Sequence, residues 1–140
     1  MNWKLQDILY AKYPKLFTQK DSDMRTTAMC WGIDANDGWF DLIDGMCAKL
    51  SRFYPTVEFT QMKEKWGALV TYLSWSKETQ WQRIWYGAKR WFYNVLDPFA
   101  IVNEAEERSR HICEVCGQPG KLREDLVWVL TLCDEDYWRI

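Results

Sequence analysis

The sequence predicts an α+β fold, in which an antiparallel β-hairpin or small sheet packs with three to four helices and a small cysteine-bearing module closes the C-terminal end. Three observations predict it. Residues 38 to 53 repeat apolar side chains at the helical spacing. Residues 57 to 62 and 68 to 75 read as strands, with β-branched and aromatic residues alternating with their neighbours. From about residue 110 the composition changes and three of the five cysteines cluster.

In chain order, residues 3 to 12 predict a short helix with Leu5, Ile8 and Leu9 on one side, ended by Tyr13-Pro14. Residues 18 to 27 are polar and predict a loop. The helix over 38 to 53 carries Trp39, Leu42, Ile43, Met46, Cys47, Leu50 and Phe53 on its apolar stripe. Asp37 is its expected N-cap and Pro55 its stop. Cys47 lies on that stripe and is expected to be buried packing. Lys63 to Gly67 is expected to connect the two strands. Residues 77 to 96 predict a long helix whose apolar face holds Trp81, Ile84, Trp85, Ala88, Trp91, Phe92, Val95 and Leu96. Asp97-Pro98 starts a further helix, expected to run to about Ser109. Leu126 to Leu132 reads as a last strand that delivers Cys133.

The bulk numbers suit one domain over residues 1 to 140, with residues 111 to 140 as a C-terminal part of it. The chain has 140 residues, 48% hydrophobic and 27% charged, which are globular values. No apolar stretch is long enough to span a membrane, and no run of signal length follows the first residues. The odd cysteine count, without secretory features, predicts reduced thiols or metal ligands in a cytoplasmic setting. Ten tryptophans are more than a small core holds comfortably, so most are expected in the core and two to four on the surface.

Cys113 and Cys116 are separated by two residues and followed by Gly117, a spacing that lets two thiolates close on one metal while the glycine turns the backbone. Cys133 supplies a third thiolate. Asp136 repeats the two-residue spacing from Cys133 and is the favoured fourth ligand. His111 is the alternative, and Cys30 or Cys47 could also arrive from elsewhere in the fold. This ligand set predicts a structural Zn2+ in a zinc-ribbon or treble-clef-like module. The competing reading is three free thiols that pack as small hydrophobes.

Three blocks stand out as a set: Trp31-Gly32-Ile33 through Gly38-Trp39-Phe40 with Leu42-Ile43, then Gln61-Met62-Lys63-Glu64-Lys65-Trp66-Gly67, then Cys113-Glu114-Val115-Cys116-Gly117-Gln118-Pro119-Gly120 through Thr131-Leu132-Cys133. Together they resemble a family of small proteins of tailed bacteriophages and prophages. The family's pattern ends in Cys-x-x-His, and Asp136 stands where that histidine would be. The helix over 77 to 96 is longer and more aromatic than the resemblance implies. What the resemblance implies is a phage setting rather than an activity.

No grouping of catalytic residues is recognisable, so the chain is read as a binding protein and not an enzyme. The segment from Asp34 to Gly38 fails as a calcium loop, because Gly45 stands where a bidentate glutamate is required. Residues 61 to 93 carry six basic residues against two acidic ones, interleaved with aromatics, while residues 104 to 140 carry nine acids against five bases. With a net charge of -2, this balance argues against nucleic acid as a partner, though a nucleic-acid-binding zinc module is the second reading. A zinc-dependent hydrolase is the third. The leading expectation is a phage accessory protein that modulates or inhibits a host or host-defence protein in the host cytoplasm. Arg83, Tyr86, Arg90 and Tyr93 lie opposite the apolar stripe of the long helix and are its expected partner-binding face. The bland alternative is that another layer of the same protein covers them.

Overall fold

The computed structural model describes residues 1–95 and 97–140, and its architecture is α+β. Leu96, expected on the long helix, lies outside the described residues. Helix α1 (Trp3–Lys12) starts at Asn2, whose side chain accepts the Lys4 amide. Only Leu9 of its expected apolar side is buried, and Ile8 is exposed. Chain segments with short 3-10 turns at Thr18–Asp21, Met29–Trp31 and Asp37–Trp39 lead to helix α2 (Phe40–Phe53). Its stripe of Leu42, Ile43, Met46, Cys47, Leu50 and Phe53 is buried as the periodicity predicts. Asp37 does not cap α2: it opens the preceding turn, and its Oδ1 accepts the Asn2 amide at 2.6 Å.

The main sheet has the order β1-β2-β3, with β1 (Ile33–Asp34) parallel and β3 (Ala68–Trp75) antiparallel to β2 (Val57–Lys65). The predicted hairpin is therefore present, extended by one short strand. Its register shifts between Phe59 and Gln61, so the buried residues of β2 run Val57, Phe59, Met62. The carbonyl of Thr60, the residue within the shift, accepts the Ala28 amide and the Thr27 hydroxyl. The connection is tighter than Lys63 to Gly67. Lys65 pairs with Ala68, which leaves Trp66 and Gly67, both with positive φ (55° and 74°), as a two-residue turn of the mirror-image type.

Helix α3 (Gln80–Phe92) begins with a capping box between Thr79 and Gln82. It ends in a left-handed Asn94, with the Val95 amide bonding back to the Arg90 carbonyl. Helix α4 (Pro98–Ser109) is capped by Asp97 and buries Ile101, Val102 and Ala105 against α2 and β3. The core joins these residues to Leu9, Phe17, Trp39, Ile43, Leu50, Phe59, Met62 and Leu69. Beyond α4 come the hairpin β4 (Lys121–Arg123) and β5 (Leu130–Leu132), then helix α5 (Asp134–Trp138). The last strand is thus shorter than Leu126 to Leu132, and Val127 and Trp128 lie exposed in the turn before it. Among the described residues, no helix is long and apolar enough to cross a membrane.

Two expectations about the aromatics are overturned. Nine of the ten tryptophans are exposed, and only Trp39 is buried. The rest of the core is filled by aliphatic and Met side chains with Tyr13, Phe17 and Phe59, so the other nine indoles are left outside. Helix α3 is also turned the other way. Its apolar stripe faces outward, with Trp81, Ile84, Trp85, Trp91 and Phe92 all exposed. Its expected outer face meets the body. Arg90 donates to the Phe53 carbonyl at 2.7 Å, pairs with Glu78 at 2.9 Å and lies over the Tyr54 ring. Lys89 reaches the Arg52 carbonyl at 3.2 Å. Tyr93 packs on Phe53 under Arg52 with half its surface still exposed, Tyr86 is half-buried, and Arg83 is exposed. The physical reason is the end of α2. Its last carbonyls lack helical partners and attract cations, and α3 supplies two of them from its polar side.

Candidate metal centre

The centre is assembled from two backbone turns. Cys113 follows an isolated bridge between Ile112 and Pro119. Its carbonyl accepts the Gly117 amide at 2.9 Å and its amide donates to the Gln118 carbonyl at 2.7 Å. Gly117 holds φ at +79°, a conformation that favours glycine, and this folds Cys116 back beside Cys113. The second turn is the start of α5, where Cys133 is the N-cap and Asp136 sits one turn on, its amide donating to the Cys133 Sγ at 3.3 Å. Strand β5 brings Cys133 to this point, as expected of the last strand.

The ligand atoms of Cys113, Cys116, Cys133 and Asp136 all lie within 4.8 Å of one another. Cys116 Sγ is 3.7 Å from Cys133 Sγ, and Asp136 Oδ2 is 3.2 Å from Cys113 Sγ and 3.3 Å from Cys133 Sγ. A tetrahedral zinc with its usual bond lengths needs edges of about 3.8 Å between sulfurs and about 3.5 Å between sulfur and oxygen. The donor set therefore fits a metal ion of that kind, and these four residues could hold one. Cys113 and Asp136 are buried, Cys133 is half-buried and Cys116 is exposed, so the ion would enter from the Cys116 side.

The same closeness dictates the proton state without a metal. The Asp136 carboxylate accepts hydrogen bonds from the thiols, which pushes the Cys116 thiol up to about 12. Those bonds, that from Cys116 foremost, hold Asp136 below the usual carboxylate range. A metal would take the place of the shared protons. Around the centre, Arg123 pairs with Asp134 at 2.5 Å and lies over the Tyr137 ring, tying β4 to α5.

The other sequence candidates lie apart. His111, the alternative ligand, is exposed and is not in the four-residue group. Cys30 is half-buried with its thiol directed to the Thr27 carbonyl. Cys47 is buried in the core, where desolvation pushes its thiol strongly up.

Two residues next to the centre escape a reading based on ligand spacing. A Cβ on Gly38 would lie 2.3 Å from the Cys113 carbonyl oxygen and 2.6 Å from the Gly117 amide nitrogen. The turn before α2 thus presses backbone to backbone on the cysteine turn, and the Gly38 amide donates to the Glu114 carbonyl at 2.8 Å. Glu114 is fully buried between these pieces. Its Oε2 accepts from Asn36, and its Oε1 has no partner among the described residues. Burial, with Glu64 nearby, raises its carboxyl to about 7. The β2–β3 turn joins from the other side, where the Thr131 hydroxyl donates to the Gly67 carbonyl at 2.6 Å and the Trp128 indole to Glu64 at 3.0 Å. The three sequence blocks at 31–43, 61–67 and 113–133 therefore meet at one place. Comparison of the chain with protein-family models, with curated proteins and with solved structures gives no match.

Proposed function

We propose that the chain is a small phage accessory protein that acts by binding a host or host-defence protein in the host cytoplasm. In this reading Cys113, Cys116, Cys133 and Asp136 hold one structural Zn2+ in a zinc-ribbon or treble-clef-like module. The observation that supports it is the way the cysteine turn, the Gly38 turn and the Trp66-Gly67 turn lock together while aromatic side chains point outward. Four protein donors fill a tetrahedral zinc, which leaves no open position for a substrate or water and suits a structural role. Beside the centre, Trp66, Val127 and Trp128 are exposed. Trp66 occupies a left-handed position that favours asparagine or glycine, and a bulky residue there is strained. Strain held at an exposed tryptophan, a residue type that anchors interfaces, favours this corner as the partner surface.

The test is capture from host lysate, with nuclease present, by the purified protein. Capture of a protein that is lost with Trp66→Asn and with Trp128→Ala, and lost after zinc is stripped, supports the reading. Capture unaffected by all three overturns it. Trp66→Asn should also raise stability by about 1 kcal/mol, since it relieves the left-handed strain. A zinc content well below one ion per chain after purification without added metal would overturn the metal assignment.

A further inference from the structure

We infer that the outward ridge of α3 docks on the surface of an anionic lipid membrane. The inference is independent of the zinc assignment and of the protein-binding corner. Trp81 and Trp91 are 82% and 84% exposed, and Trp85, Phe92 and Ile84 are 66%, 74% and 58% exposed. At the helical spacing these side chains fall on one side of a 13-residue helix. Side chains this far out of the body stand proud of it, and an apolar ridge of this kind on a free surface calls for an occupant.

The charge around the ridge selects the occupant. Residues 79 to 95 contain no acid, although the whole chain has a net charge of -2. Of the nearby acids, Glu78 is taken by Arg90, and Asp97 caps α4. Lys77 and Arg83 are exposed; Arg83 leaves the helix on the side away from the ridge, and Lys89 is bonded to the Arg52 carbonyl. A helix is only about 10 Å across, within a Debye length, so the field felt at the ridge is cationic. A second copy meeting ridge to ridge would bring two such cationic fields together. An anionic surface does the reverse.

The composition points the same way. A tryptophan has a large apolar ring and one N–H that needs an acceptor, and the headgroup level of a bilayer satisfies both at once. The polar side of α3 is the side bonded to the body, through Arg90 and Lys89, so the helix can lie in the interface with the protein above it. At about 1.5 Å per residue it is far too short to span and lies along the surface instead.

Cosedimentation with vesicles tests the inference, using the purified full chain. Vesicles of phosphatidylglycerol and phosphatidylethanolamine should carry the protein down, and vesicles of phosphatidylcholine should bind it at least about tenfold more weakly. Added salt should weaken the binding. The pair Trp85→Ser with Trp91→Ser should leave the melting temperature unchanged and reduce binding by about tenfold or more, because both side chains are exposed in the folded protein. The pair Lys77→Glu with Arg83→Glu should remove the preference for the anionic vesicles. No sedimentation, equal binding to both vesicle types, or binding untouched by the tryptophan pair overturns the inference. So does a concentration-dependent dimer in ultracentrifugation that the tryptophan pair abolishes, which would make a second copy the occupant.

Discussion

Gly38 and Cys113, 75 positions apart in sequence, lie so close that a single added methyl group on the glycine would strike the cysteine's carbonyl oxygen at 2.3 Å. The obstacle is backbone, so no side-chain rotation relieves it. Gly38→Ala is expected to cost about 1 to 3 kcal/mol of stability, as overpacking does, and to loosen the metal centre with it. Urea denaturation of the metal-loaded and metal-free protein checks this. Equal stability of variant and parent would show that the two turns can part at no cost.

Asp136 is placed to ligate and His111 is not. Asp136→Ala should lower zinc affinity by about tenfold or more, and His111→Ala should leave it unchanged within error, in competition with a chelator. A larger loss from His111→Ala would require the cysteine turn to rearrange around the histidine on binding.

Glu114 gives a pH dependence of definite sign. Its folded-state carboxyl is raised to about 7, above its usual range, so folding favours the protonated form. That contribution is fully present below about pH 4.3, the ordinary glutamate value, and is lost as the pH rises through about 7. Glu114→Gln keeps the shape and removes the titration. The variant should therefore gain stability relative to the parent at pH 8, by a margin on the order of 1 to 2 kcal/mol, and lose that advantage at pH 4 to 5. Thermal melts at the two pH values decide it.

Arg90 and Trp91 are neighbours on α3 with opposite roles. Arg90→Ala strips the Phe53 carbonyl of its cation and leaves Glu78 without its partner, so it should cost about 2 kcal/mol. Trp91→Ser removes a side chain that is 84% exposed and should change stability by less than about 0.5 kcal/mol. The reverse order in chemical denaturation would mean that α3 sits on the body by its tryptophans.

Elements whose periodicity alone decides their burial were legible in the sequence. The stripe of α2, the start of α4 and the β2–β3 pairing belong to this group, whereas α3 begins at Gln80, three residues later than expected. The cysteine and aspartate spacing likewise led to the group that the fold brings together. The orientation of α3 was not legible, because an amphipathic pattern states that two faces differ and not which of them meets the body. Here the polar face makes the contacts, to two carbonyls at the end of α2 that belong to a segment some forty residues away. Gly38 and Glu114 were hidden for a related reason: each matters through a backbone contact across the chain, which leaves no periodic trace in the sequence.

The irregular step at Thr60 works as a phase-shifter for the whole hairpin. Val57 and Phe59 point inward at intervals of two, and the extra residue resets the alternation so that Met62 points inward in its turn. Were Thr60 deleted, Phe59 and Gln61 would become neighbours and keep Leu73 and Tyr72 as partners, with Met62 still inward, because those partners are themselves consecutive on β3. What would be lost is the outward kink of backbone at Thr60, and with it the carbonyl that holds the Ala28 amide and the Thr27 hydroxyl. The extra residue is thus a hook on which the segment before β1 hangs, and its removal would free that segment while leaving the hairpin paired.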